Sequence, residues 1–150
     1  MVYKKILVPF DGSIPSKNAL KEAIKLVKQS MGTIFLLYVI QEVSLPYYAH
    51  GMLSKTMKEH EKEIYFEAKQ SANKLFEKNI KDYTNSGIKF ETKTLYGNTA
   101  DKIIGFIKNN HVDIVVIGTT SRKGISKITA LGSVARKVSE EAKCPVLLIH

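Results

Sequence analysis

Short, nearly continuous apolar runs alternate along this chain with longer stretches in which apolar residues return every three or four positions. The runs Lys4–Phe10 (KKILVPF), Thr33–Ile40 (TIFLLYVI), Val112–Ile117 (VDIVVI) and Pro145–Ile149 (PVLLI) read as strands covered on both faces. Ile88–Leu95 differs, because Ile88, Phe90, Thr92 and Thr94 alternate with Lys89, Glu91 and Lys93. That alternation predicts a strand with one wet side, placed at a sheet edge where its charges discourage foreign pairing. Between the first two strands, Ala19, Leu20, Ala23, Ile24, Val27 and Met31 keep helical spacing, with Ser13 or Ser16 as cap and Gly32 as terminator. Met57, Ile64, Ala68, Leu75, Asn79 and Tyr83 predict one long amphipathic helix whose Met57, His60 and Ile64 stripe packs on the core. Asn98 caps a third helix carrying Asp101 in its first turn and Ile103, Ile104 and Ile107 on its inner face, and Ser133 to Lys143 forms a fourth.

The order βαβαβαβαβ with buried strands specifies an α/β domain spanning residues 1–150: a doubly wound five-stranded parallel sheet in the flavodoxin-like or Rossmann-like order 3-2-1-4-5. Residues 41–54, around Leu45-Pro46-Tyr47-Tyr48, lose periodicity and read as a loop. Sheets of this kind hold ligands beyond the carboxyl ends of strands where the strand order reverses. Asp11-Gly12-Ser13, after the first strand, and the loop starting at Gly118, after the fourth, therefore face one crevice.

Composition removes several function classes. The 23 Lys and Arg outnumber 14 Asp and Glu, for a net charge of +9. The lysines are scattered, and no aromatic residues interleave with them as a base-stacking surface requires, so the charge reads as a solvated surface and a nucleic-acid partner is disfavoured. The single cysteine, Cys144, allows no internal disulfide, and no Cys/His spacing suggests a metal site. Both point to a reducing compartment. Without a basic and apolar leader or an apolar run near the roughly 20 residues of a membrane span, the expected location is the cytoplasm, with no membrane partner.

The loop after the fourth strand carries the chemistry. Gly118, Gly124 and Gly132 let backbone approach a ligand, and Gly132-Ser133 opens a helix whose first N–H groups favour an anion such as phosphate. Residues 119–143 hold six basic side chains (Arg122, Lys123, Lys127, Arg136, Lys137, Lys143) against two acidic ones (Glu140, Glu141). The same glycines would also serve a long loop without a ligand, and the residues by themselves leave both readings open. A P-loop would need Gly-Lys-Ser/Thr, and a Rossmann fingerprint would need its glycines directly after the first strand; neither is present. A receiver domain would need an acidic cluster where only Asp11 stands.

Several motifs in order nevertheless resemble the universal stress protein family: KKILVPFDGS at the start, the strand LLYVI, GNTADKI, DIVVIGTT, and LGSVARKVSEEAKCPVLLIH at the end. The resemblance runs from Lys4 to His150. In the nucleotide-binding branch the loop reads Gly, two residues, Gly, nine residues, then Gly with Ser or Thr. Here Gly118 and Gly132-Ser133 match, whereas Ser121 stands at the second glycine and ten residues separate it from Gly132. The resemblance implies ATP or AMP as ligand, with Mg2+ on the phosphates. Asp11 would contact the ribose, Pro9 and Phe10 would line the pocket, and the Val39 backbone would read the adenine edge. Gly118, Thr119, Ser121 and Gly124 would shape the loop, and Gly132, Ser133 and Val134 would hold the phosphates. It also implies a homodimer through the C-terminal strand, whose residues Val146 to Ile149 carry no charge.

His50, His60, His111 and His150 fall at unrelated places, no nucleophile and base are implied by spacing, and Ser133 reads as a cap or phosphate ligand. The expected role is a binding module in stress response or signalling, not an enzyme. The alternative is a nucleotide-independent dimeric interaction protein of the same fold.

Overall fold

A computed structural model describes residues 2–42, 55–119 and 131–150. Five strands, β1 (Lys5–Pro9), β2 (Thr33–Gln41), β3 (Lys89–Gly97), β4 (Ile114–Gly118) and β5 (Val146–Ile149), form one sheet in the order β3-β2-β1-β4-β5. All neighbours run parallel. Helices α1 (Ile14–Lys28), α2 (Lys55–Ile80), α3 (Thr99–Asn110) and α4 (Ser133–Glu141) connect them, with a short 3-10 turn (Lys81–Tyr83) after α2. The expected fold class and strand order are those of the structure, including the edge position of β3.

Strand alternation sends side chains to two cores. Ile6, Val8, Ile34, Leu36, Ile114 and Val116 pack with Ala19, Leu20, Ala23, Ile24 and Val27 of α1 and with Ala72 and Phe76 of α2. Leu7, Phe35, Leu37, Val115 and Ile117 pack on the other face with Ile103 and Ile107 of α3 and Ala135 and Val138 of α4. Both faces of β1, β2 and β4 are thus dry, which is why their sequences are apolar runs. At the amino end of the sheet, the Asp113 carboxylate accepts hydrogen bonds from the backbone N–H groups of Lys4 (2.9 Å) and Lys5 (2.8 Å), locking the starts of β1 and β4 together. This aspartate ends the preceding turn, so β4 begins at Ile114, later than the apolar run suggested.

Three local expectations are corrected. The first helix stops at Lys28, and it is Met31, not Gly32, that takes a left-handed conformation (φ 51°); Met31 is 93% exposed and belongs to no core. Gly32 serves instead to let β2 start against β1, since a Cβ there would lie 2.3 Å from the Lys4 carbonyl oxygen. The stripe proposed for the start of α2 is not core either: Ile64 is 55% exposed, and His60 lies on the surface within 3.7 Å of Glu63. The side chain of Met57 lies outside the described residues. The buried contacts of α2 come further along, through Ala72 and Phe76. Finally, the N-cap of α4 is Gly132, so Ser133 is the first helical residue and does not cap.

Candidate functional site

At the carboxyl ends of β1, β2 and β4 lies a cavity of about 480 Å³, within the range typical of small-molecule sites. Its floor comes from the strands: Pro9 and Phe10 after β1, Leu37, Tyr38 and Val39 from β2, and Ile117, Gly118 and Thr119 from β4. Thr99 and Ile103 of α3 close one side, while Leu131 to Ala135 at the start of α4 close another. Asp11, Ser13 and Ser16 stand on the wall formed by the β1–α1 turn.

That turn is tightly determined. The Asp11 side chain accepts a hydrogen bond from Ser13 N–H at 2.9 Å, Gly12 between them has φ 79°, and Ser13 then caps α1 by accepting from Ser16 N–H at 3.3 Å. Only glycine takes that φ without strain. The Asp11 carboxyl feels two opposed effects: desolvation in the cavity wall raises its pKa, but hydrogen bonds from Ser13 and Ser16 outweigh it and hold the group below its ordinary value. It is an anion with further lone pairs available to a donor.

The position of Val39 follows from unequal strand lengths. β1 pairs with β2 only as far as Pro9 opposite Leu37, where Phe10 N–H donates to the Leu37 carbonyl at 2.8 Å. In a parallel ladder, alternate residues turn both backbone groups to the same side. Since Leu37 faces β1, Val39 faces it too, but β1 has ended by then. The N–H and C=O of Val39 are therefore aimed into the crevice, a donor and an acceptor side by side.

The opposite end of the cavity is an anion cradle. Gly132 provides no side-chain cap to α4, so the N–H groups at the start of the helix, at Ser133, Val134 and Ala135, are left without an intrahelical partner at the cavity wall. These groups and the helix dipole favour negative charge. Lys137, one turn on, pairs with Asp101 of α3 at 2.7 Å. That partner holds the lysine's pKa above its ordinary value.

Nine of the residues singled out from sequence, Pro9, Phe10, Asp11, Val39, Gly118, Thr119, Gly132, Ser133 and Val134, line this one cavity. Ser121 and Gly124 lie outside the described residues. Thr119 is partly committed elsewhere: its N–H donates to the Ile149 carbonyl at 2.7 Å, and its hydroxyl lies 3.2 Å from the same oxygen and 3.1 Å from His150 Nδ1. Sequence reading passed over Leu37, Tyr38, Thr99, Ile103, Ile117 and Ala135, and saw Ser16 only as a cap, whereas Ser13, in the Asp11-Gly12-Ser13 turn, and Leu131, beside Gly132-Ser133, were already placed at the crevice. Leu37, Ile103 and Ile117 are indistinguishable from core residues by pattern, whereas Thr99, directly after the Asn98 cap, could have been found by placing the helix start at the crevice. Among the described residues, no three His, Cys, Asp or Glu side chains gather as a metal site. Nor is any helix among them long and apolar enough to cross a membrane.

The model of the universal stress protein family matches residues 2–150. A universal stress protein of Methanocaldococcus jannaschii is 36% identical over 154 residues, covering 99% of this chain and 82% of the relative. Among solved structures, the M. jannaschii protein MJ0577 superposes with a TM-score of 0.82 at 27% identity, over 99% of this chain and 96% of that one. A universal stress protein of Archaeoglobus fulgidus in complex with dAMP shares the fold, with a TM-score of 0.64 and 22% identity over the whole of both chains.

Proposed function

This chain belongs to the universal stress protein family, and from that membership we propose that it is an adenine-nucleotide-binding module of stress response or signalling. It would work as a cytoplasmic homodimer and bind ATP or AMP. The observation that carries the reading is the convergence on one cavity of a carboxylate turn at Asp11, a backbone edge at Val39 beyond the end of β1, and a helix start at Gly132–Val134 with no side-chain cap.

The three features match the three parts of a nucleotide. The Val39 N–H and C=O offer the donor and acceptor that an adenine edge requires, and Pro9 and Phe10 supply apolar surface for the ring. Asp11 accepts from ribose hydroxyls. Gly132, Ser133 and Val134 receive the phosphates on backbone N–H groups, and Mg2+ accompanies ATP on its phosphates. Gly118 and Thr119 lead into the segment that carries Ser121 and Gly124, which the family motif assigns to the same ligand. The bound dAMP of the A. fulgidus relative supports the ligand class. Among the described residues that line the cavity, none pairs a nucleophile with a base, and the site reads as one that binds rather than cleaves.

Mass spectrometry of ligand released from freshly purified protein, together with calorimetric titration of ATP and Mg2+, tests the proposal. An adenine nucleotide or a saturable heat is expected; the absence of both refutes it. Gly132→Val adds bulk at the phosphate position and is expected to weaken binding at least about tenfold, equivalent to some 1.4 kcal/mol, with cooperative unfolding retained. Unchanged affinity would move the phosphate site elsewhere.

A further inference from the structure

The turn that carries Asp11 is supported from behind by a helix that has no residue in the cavity. A Cβ on Gly12 would lie 2.8 Å from Leu75 Cδ1 and 3.0 Å from Cδ2. One residue along α2, Phe76 meets Phe10 with ring centroids 6.3 Å apart. Adjacent residues of α2 therefore press on adjacent parts of the Phe10-Asp11-Gly12 segment, while the other side of that segment forms the cavity wall. The two contacts differ in kind. Phe76 is 2% exposed and belongs to the core. Leu75 is only partly buried, packed at the margin of that core, and its methyl groups fill the space that a side chain on Gly12 would need.

The hydrogen bonds of Phe10 and Ser13 fix the shape of the three-residue connection from β1 to the α1 cap, but they do not by themselves set how far Asp11 leans into the cavity. Gly12 is the most permissive residue in the chain's repertoire, and its left-handed φ can relax unless something packs against it. A loss of about an ångström in placement is enough to lose a directed hydrogen bond.

We propose that Leu75 is a positioning residue that sets ribose specificity: packed against Gly12, it holds the Asp11 turn where the carboxylate meets the ribose hydroxyls. The proposal rests on the adenine-nucleotide reading given above. Adenine and phosphate contacts come from the Val39 backbone and the start of α4, whereas the Leu75 contact falls on Gly12 beside Asp11, so its removal should erase discrimination at the sugar and leave most of the remaining affinity in place.

Calorimetric titration with ATP and with 2′,3′-dideoxy-ATP, on wild type, Leu75→Ala and Leu75→Met, measures this. Wild type is expected to prefer ATP by about 10- to 100-fold, the worth of hydrogen bonds to a charged acceptor. In Leu75→Ala the ratio should fall below about threefold, through weaker ATP binding at nearly constant dideoxy-ATP affinity. Leu75→Met, which keeps the volume, should restore the ratio. An NMR pH titration of the Asp11 carboxyl gives a readout that needs no ligand: loosening the turn should let its pKa rise from its depressed value. Should Leu75→Ala fail to fold, Leu75→Val carries the same comparison.

A Leu75→Ala protein that retains the wild-type ratio overturns the proposal. So does a wild type that binds both nucleotides equally. If wild type binds neither nucleotide, the adenine-nucleotide reading falls, and so does ribose specificity; the positioning of Asp11 is then decided separately, an unmoved titration in Leu75→Ala overturning it.

Discussion

A methyl group added to Gly118 would sit 2.5 Å from the Pro15 carbonyl carbon and 2.6 Å from its Cβ. The glycine at the end of β4 is therefore needed first by the fold, because it lets the opening turn of α1 settle on the sheet, and only then by a ligand. Gly118→Ala is expected to lose about 1–3 kcal/mol of stability in urea titrations, the usual penalty for overpacking against backbone, and to bind nucleotide less tightly because the β1 and β4 walls part. Stability within error of wild type would show that Pro15 moves freely and would remove this reason for the glycine. Sequence reading chose Gly118 as a close-approach residue and Asp11 as a turn residue. It could not choose Leu75 as the support of the Asp11 turn, since nothing local to position 75 distinguishes a core leucine from one that props a binding turn.

At the scale of elements, α2 shows where periodicity misleads. Helical spacing does extend through the whole helix, but Tyr65 already meets Tyr96, the penultimate residue of β3, with centroids 5.7 Å apart. The turns before Tyr65 overhang the carboxyl edge of the sheet. A helix of 26 residues extends about 39 Å at 1.5 Å per residue. A nine-residue strand such as β2 or β3 spans only about 30 Å at roughly 3.3 Å per residue. Ile64 and Phe66, 55% and 60% exposed, reflect that excess length. Phe76→Ala should therefore destabilise the protein by about 3–5 kcal/mol, whereas Phe66→Ala should stay within about 0.5 kcal/mol of wild type. Comparable losses from the two, measured by chemical denaturation, would mean that the first half of α2 is covered in solution.

For the whole molecule, the two edges of the sheet are unlike. β3 carries Lys89, Glu91 and Lys93 along its exposed length, which discourages pairing, whereas β5, which among the described residues pairs only with β4, carries no charge and leaves Leu147 38% exposed. An uncharged edge is suited to an isologous two-fold contact in which two β5 strands run antiparallel. Light scattering at micromolar concentration is expected to give twice the mass of the chain, and Leu147→Lys should halve it while leaving far-UV circular dichroism unchanged; a monomeric wild type would refute the dimer. The sequence by itself determined the number, type and order of the strands and helices, and with them the crevice, because hydrophobic periodicity and cap chemistry are local and strong. It also picked out Asp11 and Gly132-Ser133, through turn and helix-start signals, and Val39, through the family resemblance, all of which line the cavity. Only the tertiary structure decided that β1 stops two residues short of Val39, that Gly132 and not Ser133 stands at the cap position of α4, that Gly118 yields space to Pro15, and that Leu75 stands behind Asp11. Each of these depends on which distant segments touch, and contacts between residues far apart in the chain leave no periodic trace in either segment.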